Sequence, residues 1–311
     1  MTKQTILITG GAGNVGSALA RRLAEDSSNT VVIIDNLTTG DKHKIPQSSN
    51  VVSIKADVNN YNDIVPVFGR YNFDYVFHYA AVVGVERTLN NPMSVLEDIE
   101  GIKNILNLSK NTGVKRVFYS SSSEVYGEPF EIPQNEHTTP LNSRLPYAIV
   151  KNVGEAFFKS YYQEYGLEYT IFRFFNTYGP NQSDDFVVPR FLRAALADED
   201  ITIYGDGMQT RSFCYVDDNV DTCIKAMNSD EHANEVLNIG SDKEMTILEL
   251  AQRIITVTNS KSNVVHLPAL KEGDMARRCP DNTKMKELLG RDLLPLEDGL
   301  GHLITFYENR S

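Results

Sequence analysis

The sequence predicts an α/β fold in which helices cover both faces of a parallel sheet. Short apolar segments such as Thr5–Thr9 and Val31–Asp35 have the length of buried strands. Amphipathic segments of helical periodicity, such as Tyr147–Tyr165, alternate with these strands along much of the chain. A glycine-rich turn joins the first strand to the first helix. Strands and helices that alternate in this way form a doubly wound parallel sheet.

The composition indicates an acidic globular protein. The 311 residues are 41% hydrophobic and 23% charged, and the formal net charge is −11. This charge disfavours nonspecific binding to nucleic acid, whose phosphates are repelled by an acidic surface. Cys214, Cys223 and Cys279 lack the spacing of a metal site and are expected to be reduced thiols. No signal peptide or membrane-spanning run is visible, so we expect a cytoplasmic protein that does not bind membranes.

The turn after the first strand has the features of a dinucleotide-binding loop. Its glycines are Gly10, Gly13 and Gly16, with Asn14 and Val15 between the last two, and Ser17–Ala24 is predicted to form the helix that follows. Glycines permit a tight turn and let the backbone approach a pyrophosphate at the helix N-terminus. The spacing is G-x-x-G-x-x-G rather than G-x-G-x-x-G, but the strand–turn–helix context supports the interpretation. We therefore predict that these five residues bind a dinucleotide.

Two acidic residues at later strand ends extend the predicted cofactor site. Asp35 ends the second strand about twenty residues after the glycine turn, and Asn36 follows it. A carboxylate there accepts hydrogen bonds from the adenosine ribose and repels a 2′-phosphate, which favours NAD over NADP. Asp57 and Val58 follow the third strand, where Asp57 either contacts the adenine or caps the next helix.

Further motifs lie at the same predicted edge of the sheet. Ala80 and Ala81 follow the fourth strand, and their small side chains allow a cofactor to lie close. The serine run 120–123 ends the fifth strand, and Asn176 follows the sixth. Because ligands bind at the carboxyl ends of such strands, we expect the site at this edge. His78 is interpreted as a packed strand residue rather than a metal ligand.

The most distinctive pair is Tyr147 and Lys151. Four residues apart on a helix, the two side chains share one face. A free tyrosine has a pKa near ~10 and is a poor base at neutral pH, whereas a neighbouring ammonium favours the phenolate. Tyrosine and lysine at this spacing occur on many helices. Their position shortly after the serine run favours a catalytic role.

The division of the chain follows from the same pattern. Residues 1–175 are predicted to form the NAD-binding domain, to which a segment at about 211–230 returns. Residues 176–311 are predicted to form mainly a smaller substrate domain. Two long predicted helices, Pro92–Asn111 and Tyr147–Tyr165, carry more apolar surface than one sheet face buries.

These motifs resemble those of the extended short-chain dehydrogenase/reductases that act on nucleotide sugars, a group of epimerases, dehydratases and decarboxylases. The resemblance covers nearly the whole chain and implies a Rossmann-type doubly wound sheet with a smaller, partly interleaved α/β substrate domain. It is carried by the segments Thr9–Gly16, Asp35–Leu37, Ser120–Gly127, Tyr147–Lys151, Arg173–Pro180 and Arg211–Phe213.

The resemblance implies a role for each central residue. Tyr147, as phenolate, takes the proton of the sugar 4-hydroxyl while NAD accepts the hydride from C4. Lys151 holds the nicotinamide ribose and lowers the tyrosine pKa, and Ser122 hydrogen-bonds O4. Because the hydride returns to the sugar, NAD is expected to stay tightly bound and to be recycled.

The implied substrate is a nucleotide-diphosphate sugar, with UDP as the expected nucleotide. Asn176 is expected near the diphosphate, which Arg211 and Arg278 neutralise. Val188 and Tyr204 are assigned to the same substrate site. In related proteins the two long helices pair across a dimer as a four-helix bundle, so a homodimer is expected.

The reaction after C4 oxidation stays open at this point. The loop Ala81–Arg87 resembles the pattern of the 4-epimerases, which return the hydride to the other face of a 4-keto sugar. The run Ser122-Ser123-Glu124, and Arg144 three residues before Tyr147, resemble the UDP-glucuronic acid decarboxylases. The absence of an acid directly after Tyr147 counts against that reading.

Two other reactions or roles are less favoured. A dehydratase would carry an Asp-Glu pair where this chain has Ser123-Glu124. A non-catalytic NAD-binding regulator is a remote alternative, because the whole catalytic set is present. We therefore favour a UDP-sugar 4-epimerase, with Ser122, Ser123, Glu124, Tyr147 and Lys151 as the catalytic candidates.

Overall fold

The computed structural model describes residues 3–269 and 277–309. Its strands are β1 (Thr5–Thr9), β2 (Thr30–Asp35), β3 (Val51–Lys55), β4 (Tyr75–His78), β5 (Arg116–Ser122), β6 (Glu168–Phe174), β7 (Thr177–Tyr178), β8 (Ile201–Tyr204), β9 (Thr210–Ser212), β10 (Cys214–Tyr215), β11 (Glu235–Ile239), β12 (Glu244–Thr246) and β13 (Val264–Leu267). Its α-helices are α1 (Asn14–Ala24), α2 (Tyr61–Arg70), α3 (Val85–Asn90), α4 (Pro92–Leu96), α5 (Asp98–Thr112), α6 (Pro146–Tyr165), α7 (Val187–Leu196), α8 (Val216–Met227), α9 (Ile247–Thr258), α10 (Thr283–Leu289) and α11 (Leu296–Glu308). Short 3₁₀ helices cover Lys42–Lys44, Ser123–Tyr126 and Asp230–His232.

The main sheet has seven strands in the order β3–β2–β1–β4–β5–β6–β11. Every neighbouring pair in it is parallel. The order reverses between β1 and β4, which is where doubly wound sheets bind ligands. The predicted fold class is therefore confirmed.

The two faces of the sheet bury different sets of apolar side chains. Ile6 and Ile8 of β1 belong to the core on one face, whereas Leu7 belongs to the core on the other. This alternation follows from the two-residue period of a strand. The first core is completed by α1 and α8, and the second by α2, α5 and α6.

The seventh strand lies outside the predicted NAD-binding domain. The sequence assigned residues 235–239 to the substrate domain, but β11 pairs parallel with β6, with Leu237 opposite Phe172. Both of these side chains are fully buried, so the pairing adds to the core. The chain thus returns to the large sheet beyond the predicted segment at 211–230.

The predicted helix Pro92–Asn111 is divided into α4 and α5 at Glu97. The break brings the first residue of α5, Asp98, to the loop after β4, where its Oδ2 accepts a hydrogen bond from the Val82 N–H at 2.8 Å. Part of the predicted loop Ala81–Arg87 is itself helical, because α3 begins at Val85.

The later part of the chain is built from small sheets and helices. Strand β7 pairs with β10, β8 with β13 and β9 with β12. Helices α7, α9 and α11 pack in the same core as the first face of the main sheet. The division at residue 175 stays a prediction. Within the described ranges, no helix has both the length and the apolar character needed to cross a membrane.

Gly16 provides a test of how closely the glycine turn is packed. A β-carbon added at Gly16 would clash with the Gly10 carbonyl oxygen. We expect Gly16→Ala to lower the free energy of unfolding by about 1–3 kcal/mol, because the turn must move. Guanidinium unfolding followed by circular dichroism measures this change.

Gly69→Ala in α2 is the matched control, since nothing lies within 4 Å of its added β-carbon. That variant should be neutral or more stable by about 0.5–1 kcal/mol. An unfolding midpoint of Gly16→Ala equal to that of the parent would contradict the packing described here.

Candidate active site

Hydrogen bonds join the carboxyl ends of β1 and β4. The Thr9 hydroxyl oxygen accepts from the backbone N–H groups of Tyr79 and Ala80, each at 3.1 Å, and lies 2.9 Å from His78 Nδ1. Burial and the nearby charge of Lys151 lower the pKa of His78 to about 3, so this imidazole is neutral. His78 is thus a packed strand residue, and no cluster of metal-ligating side chains occurs in the described part of the chain.

The glycine turn lies directly against this strand end. Gly10 has a φ of +70°, and a β-carbon there would lie 2.7 Å from the Ala80 nitrogen. Only glycine combines this conformation with this close approach. Gly13 precedes α1 as its N-cap, and because glycine supplies no capping side chain, the first-turn amides stay available to an anion. Helix α1 begins at Asn14, three residues before the predicted start at Ser17, so Asn14 and Val15 belong to its first turn.

Asp35 ties the end of β2 to the glycine turn. Its Oδ2 accepts from the Ala12 N–H at 2.9 Å, and its Oδ1 accepts from the Leu37 N–H at 2.8 Å. Each carboxylate oxygen has a second lone pair, so a ribose hydroxyl can still donate to it. The ribose contact stays a prediction, and the structure adds the role of holding the turn.

The next predicted cofactor residues lie beside Asp35. The Asn36 side chain donates to Asp57 Oδ2 at 3.1 Å, and Val58 is buried. The alternative role of Asp57 as a helix cap is excluded, because Asn60 is the N-cap of α2. Asp57 Oδ1 instead accepts from the Asn59 N–H at 2.9 Å, and the contact of Asp57 with the adenine stays a prediction.

Tyr147 and Lys151 share one face of α6, as their spacing predicts. Lys151 Nζ lies 5.6 Å from the centroid of the Tyr147 ring and 5.1 Å from that of Tyr119. It donates to Ser120 Oγ at 3.5 Å, and Ser120 in turn donates to the His78 carbonyl oxygen at 3.4 Å. Only 4% of the lysine surface is exposed.

The charges around this pair differ from the expected balance. Burial lowers the pKa of Lys151 to about 8, while the Asp98 carboxylate acts to raise it. Burial, followed by the Glu124 carboxylate, raises the pKa of Tyr147 above its ordinary value. The expectation that Lys151 lowers the pKa of Tyr147 stays a prediction. A further positive charge is needed to favour the phenolate.

The serine run contributes one hydroxyl to the phenol. Ser122 ends β5, hydrogen-bonds the Tyr147 side chain and accepts from the Glu124 N–H at 3.2 Å. Ser123 is buried at the start of the 3₁₀ helix Ser123–Tyr126. Ser122 thus contacts the Tyr147 phenol whereas Ser123 is buried, and the catalytic roles of both stay predictions.

Arg278 reaches the same place from the C-terminal part of the chain. Its Nη1 lies 3.5 Å from Glu124 Oε1, and the two side chains are 9% and 20% exposed. Both charges act on the pKa of Tyr147, in opposite directions. The structure shows Arg278 paired with Glu124 near the Tyr147 phenol, and its contact with the diphosphate stays a prediction.

The other predicted substrate residues lie on neighbouring segments. The Asn176 side chain donates to the Ser212 carbonyl oxygen at 3.4 Å, which places it next to Arg211 of β9. Tyr204 ends β8, and the Arg190 guanidinium lies 5.6 Å from its ring centroid. Val188 is 1% exposed and packs in the core. The apolar face of α7 turns the Val188 side chain inward, and the substrate contact of Val188 stays a prediction.

Asp98 belongs to the site and was missed by the sequence analysis. Its carboxylate acts on both Lys151 and Tyr147, and burial raises the pKa of Asp98 itself. An acid within an amphipathic helix is ordinarily expected on the solvent side. Only the break at Glu97 turns Asp98 toward the loop after β4.

Comparison with known proteins identifies the family. The model of the NAD dependent epimerase/dehydratase family matches residues 6–240. The chain belongs to this family. The resemblance to nucleotide-sugar epimerases, dehydratases and decarboxylases is thereby confirmed, and NAD is the cofactor.

Relatives within the family carry out different reactions. The UDP-N-acetyl-alpha-D-glucosaminuronate decarboxylase of Bacillus cytotoxicus is 39% identical over 92% of this chain and 92% of its own. The putative UDP-glucose 4-epimerase of Methanocaldococcus jannaschii is 33% identical over 98% of this chain and 99% of its own. The structure of the Thermotoga maritima UDP-glucose 4-epimerase with UDP-glucose has a TM-score of 0.92 at 32% identity, covering 98% of this chain and 99% of that one.

The residues present fit NAD. The turn at Gly10 and Gly16 has no room for β-carbons, as a backbone that approaches a pyrophosphate requires. This turn and the start of α1 would hold the pyrophosphate, Asp35 the adenosine ribose and Lys151 the nicotinamide ribose.

We expect Asp98→Asn to move the pH profile of kcat/KM to lower pH. Removing the carboxylate charge takes away the interaction that raises the pKa of Lys151, so the lysine loses its proton below about pH 8. The same change lowers the pKa of Tyr147. Initial rates of sugar-nucleotide turnover across a pH series measure both limbs of the profile.

Glu100→Gln, an exposed acid on the same helix, is the matched control and should leave the profile in place. An alkaline limb of Asp98→Asn that coincides with the parent would show that Asp98 does not influence Lys151.

Proposed function

We propose that the protein decarboxylates a UDP-linked uronic acid after transient oxidation at C4. The observation that carries this proposal is the Glu124–Arg278 pair beside the Tyr147 phenol. A 4-keto uronic acid is a β-keto acid, which loses CO₂ and leaves an enolate that must be protonated at C5. A 4-epimerase has no step at C5 and needs no acid there.

The first step uses the residues on α6 and at the end of β5. Tyr147 takes the proton of the 4-hydroxyl, and Ser122, which is hydrogen-bonded to the phenol, orients O4. Lys151 holds the nicotinamide ribose next to them. Bound NAD would supply the acceptor for the C4 hydride and the donor for its return, so the cofactor would be recycled with no net redox change.

The second step uses the acid and the arginine. When the C5–C6 bond breaks, CO₂ leaves and the bonding electrons stay on the C4–C5 enolate. Glu124, which is 20% exposed and takes up a proton from solvent, then delivers that proton to C5. The C6 carboxylate of the substrate brings a second negative charge next to Glu124. Arg278, 3.5 Å from Glu124, supplies the positive charge that this second carboxylate requires. Arg144, three residues before Tyr147, is a further cation on the segment that leads into α6. The identity to the Bacillus cytotoxicus decarboxylase supports this reading.

The 4-epimerase reaction favoured by the sequence is the second candidate. The similarity to the Thermotoga maritima 4-epimerase structure over nearly the whole chain supports it. In that case the 4-keto sugar rotates in the site before the hydride returns to its other face. Glu124 and Arg278 then only bind the substrate.

A proton NMR time course separates the two reactions. UDP-glucuronic acid, UDP-N-acetylglucosaminuronic acid, UDP-glucose and UDP-N-acetylglucosamine are each incubated with the purified protein and no added NAD. We expect a uronic acid to give a pentose spectrum with two protons at C5. A new anomeric signal with a small H3–H4 coupling, and no loss of carbon, would contradict decarboxylation and establish 4-epimerisation.

Glu124→Gln tests the acid directly. We expect the rate of CO₂ release to fall at least ~100-fold, because an amide cannot deliver the C5 proton. Tyr147→Phe should abolish turnover, and Glu128→Gln, an exposed acid nearby, should leave it unchanged. Conversion to the pentose at the parental rate by Glu124→Gln would contradict the role of Glu124.

We also propose that the protein is a homodimer paired through a four-helix bundle. Apolar side chains stay exposed on α4 and α6 of the single chain, among them Met93, Leu96, Ile149 and Tyr162. Side chains of this size lose apolar exposure when two copies pair.

The double variant Met93→Glu/Ile149→Glu should be monomeric, because charges would face each other across a symmetric interface. Light scattering at micromolar concentration measures the mass. Phe130→Glu is the control, since Phe130 is 72% exposed and Met93 70%, but Phe130 belongs to neither α4 nor α6. A monomeric parent chain would refute the dimer.

A further inference from the structure

A buried polar network lies next to the catalytic serine run. Glu155 on α6 accepts from Ser121 Oγ at 2.6 Å, and from Arg173 Nε and Nη2 at 2.9 and 2.7 Å. The two ionic side chains are 1% and 2% exposed. Because both charges are paired and hydrogen-bonded, this arrangement holds Ser121, and with it the end of β5, against α6 and β6.

The Tyr126 hydroxyl extends the network toward β11. It accepts from Arg173 Nη1 at 2.9 Å and donates to Asn238 Oδ1 at 2.7 Å. Tyr126 is fully buried, and burial raises its pKa to about 12, so the hydroxyl keeps the proton that it donates. With one bond accepted and one donated, its orientation is fixed.

From Asn238 the network continues to the segment that carries Arg278. The Asn238 side-chain amide donates to the carbonyl oxygens of Gln134 and Asp281 at 2.8 and 3.2 Å. The Gln134 backbone bonds both sides of Pro280: its N–H donates to the Cys279 carbonyl oxygen and its own carbonyl accepts from the Asp281 N–H, each at 2.8 Å. The backbone next to Arg278 is thereby attached to the core.

We infer that Tyr126 is a positioning residue that sets the separation of Glu124 and Arg278. Glu124 lies two residues before Tyr126 on the same 3₁₀ helix, and Arg278 directly precedes Cys279. Hydrogen bonds through the Tyr126 hydroxyl therefore connect the segment that carries Glu124 to the segment that carries Arg278. The positioning role does not depend on the proposed function. Only its expected effect on substrate binding rests on that function.

Hydrogen–deuterium exchange of the NAD-loaded protein tests the attachment without any substrate. Tyr126→Phe removes the hydroxyl and keeps the ring. We expect faster exchange in peptides that cover both 122–127 and 277–282. The control Tyr178→Phe removes an equally buried hydroxyl that donates to the Leu296 carbonyl oxygen at 3.4 Å, and it should leave both segments unchanged. Parental exchange at 277–282 in Tyr126→Phe would overturn the inference.

Calorimetric titration with UDP and steady-state kinetics test the consequence. In Tyr126→Phe we expect about 10-fold weaker UDP binding and a KM raised by a similar factor, with the bound NAD content unchanged. Parental UDP affinity and KM, together with a lowered melting temperature, would show a purely structural role and overturn the inference. A parent protein that binds no UDP would instead refute the proposed function, while the exchange result would still decide the attachment.

Discussion

The buried ion pair between Glu155 and Arg173 is the interaction on which the geometry of the site depends. Removing one partner of such a pair leaves an uncompensated buried charge, at a cost of about 3–5 kcal/mol. Here the remaining hydrogen-bonding capacity is used by Ser121 on one side and by Tyr126 and the Glu136 carbonyl oxygen on the other. The serine run and the Arg278 segment therefore take their positions from the core of the protein rather than from flexible loops.

The part of this site that local spacing determines could be predicted from the sequence. The glycine turn, Asp35 and the Tyr147–Lys151 pair lie where strand–turn–helix and i,i+4 patterns place them. The rest depends on partners that are distant along the chain: Glu124 and Arg278 are 154 residues apart, and Tyr126 and Asn238 are 112 apart. No local pattern specifies such pairs. Glu155 lies four residues after Lys151, but its structural role is to pair with Arg173. The fold of the sheet brings Arg173 close to it.

The electrostatics of the site make the chemistry conditional on what is bound. Burial and the carboxylates of Glu124 and Asp98 favour the phenol form of Tyr147, and burial weakens the hold of Lys151 on its proton. The base is therefore poorly ionised in the protein alone. The positively charged ring of oxidised NAD is the kind of charge that reverses this balance.

The same balance bears on which reaction follows. Of the two carboxylates that raise the pKa of Tyr147, Glu124 has the larger effect. It therefore opposes ionisation of the proposed base. A 4-epimerase would carry this cost with no step that uses the acid. A decarboxylase needs a proton at C5 after CO₂ has left, and in the proposed reaction Glu124, 3.5 Å from Arg278, delivers it. A carboxylate that opposes the first step is most simply explained by a later step that requires it.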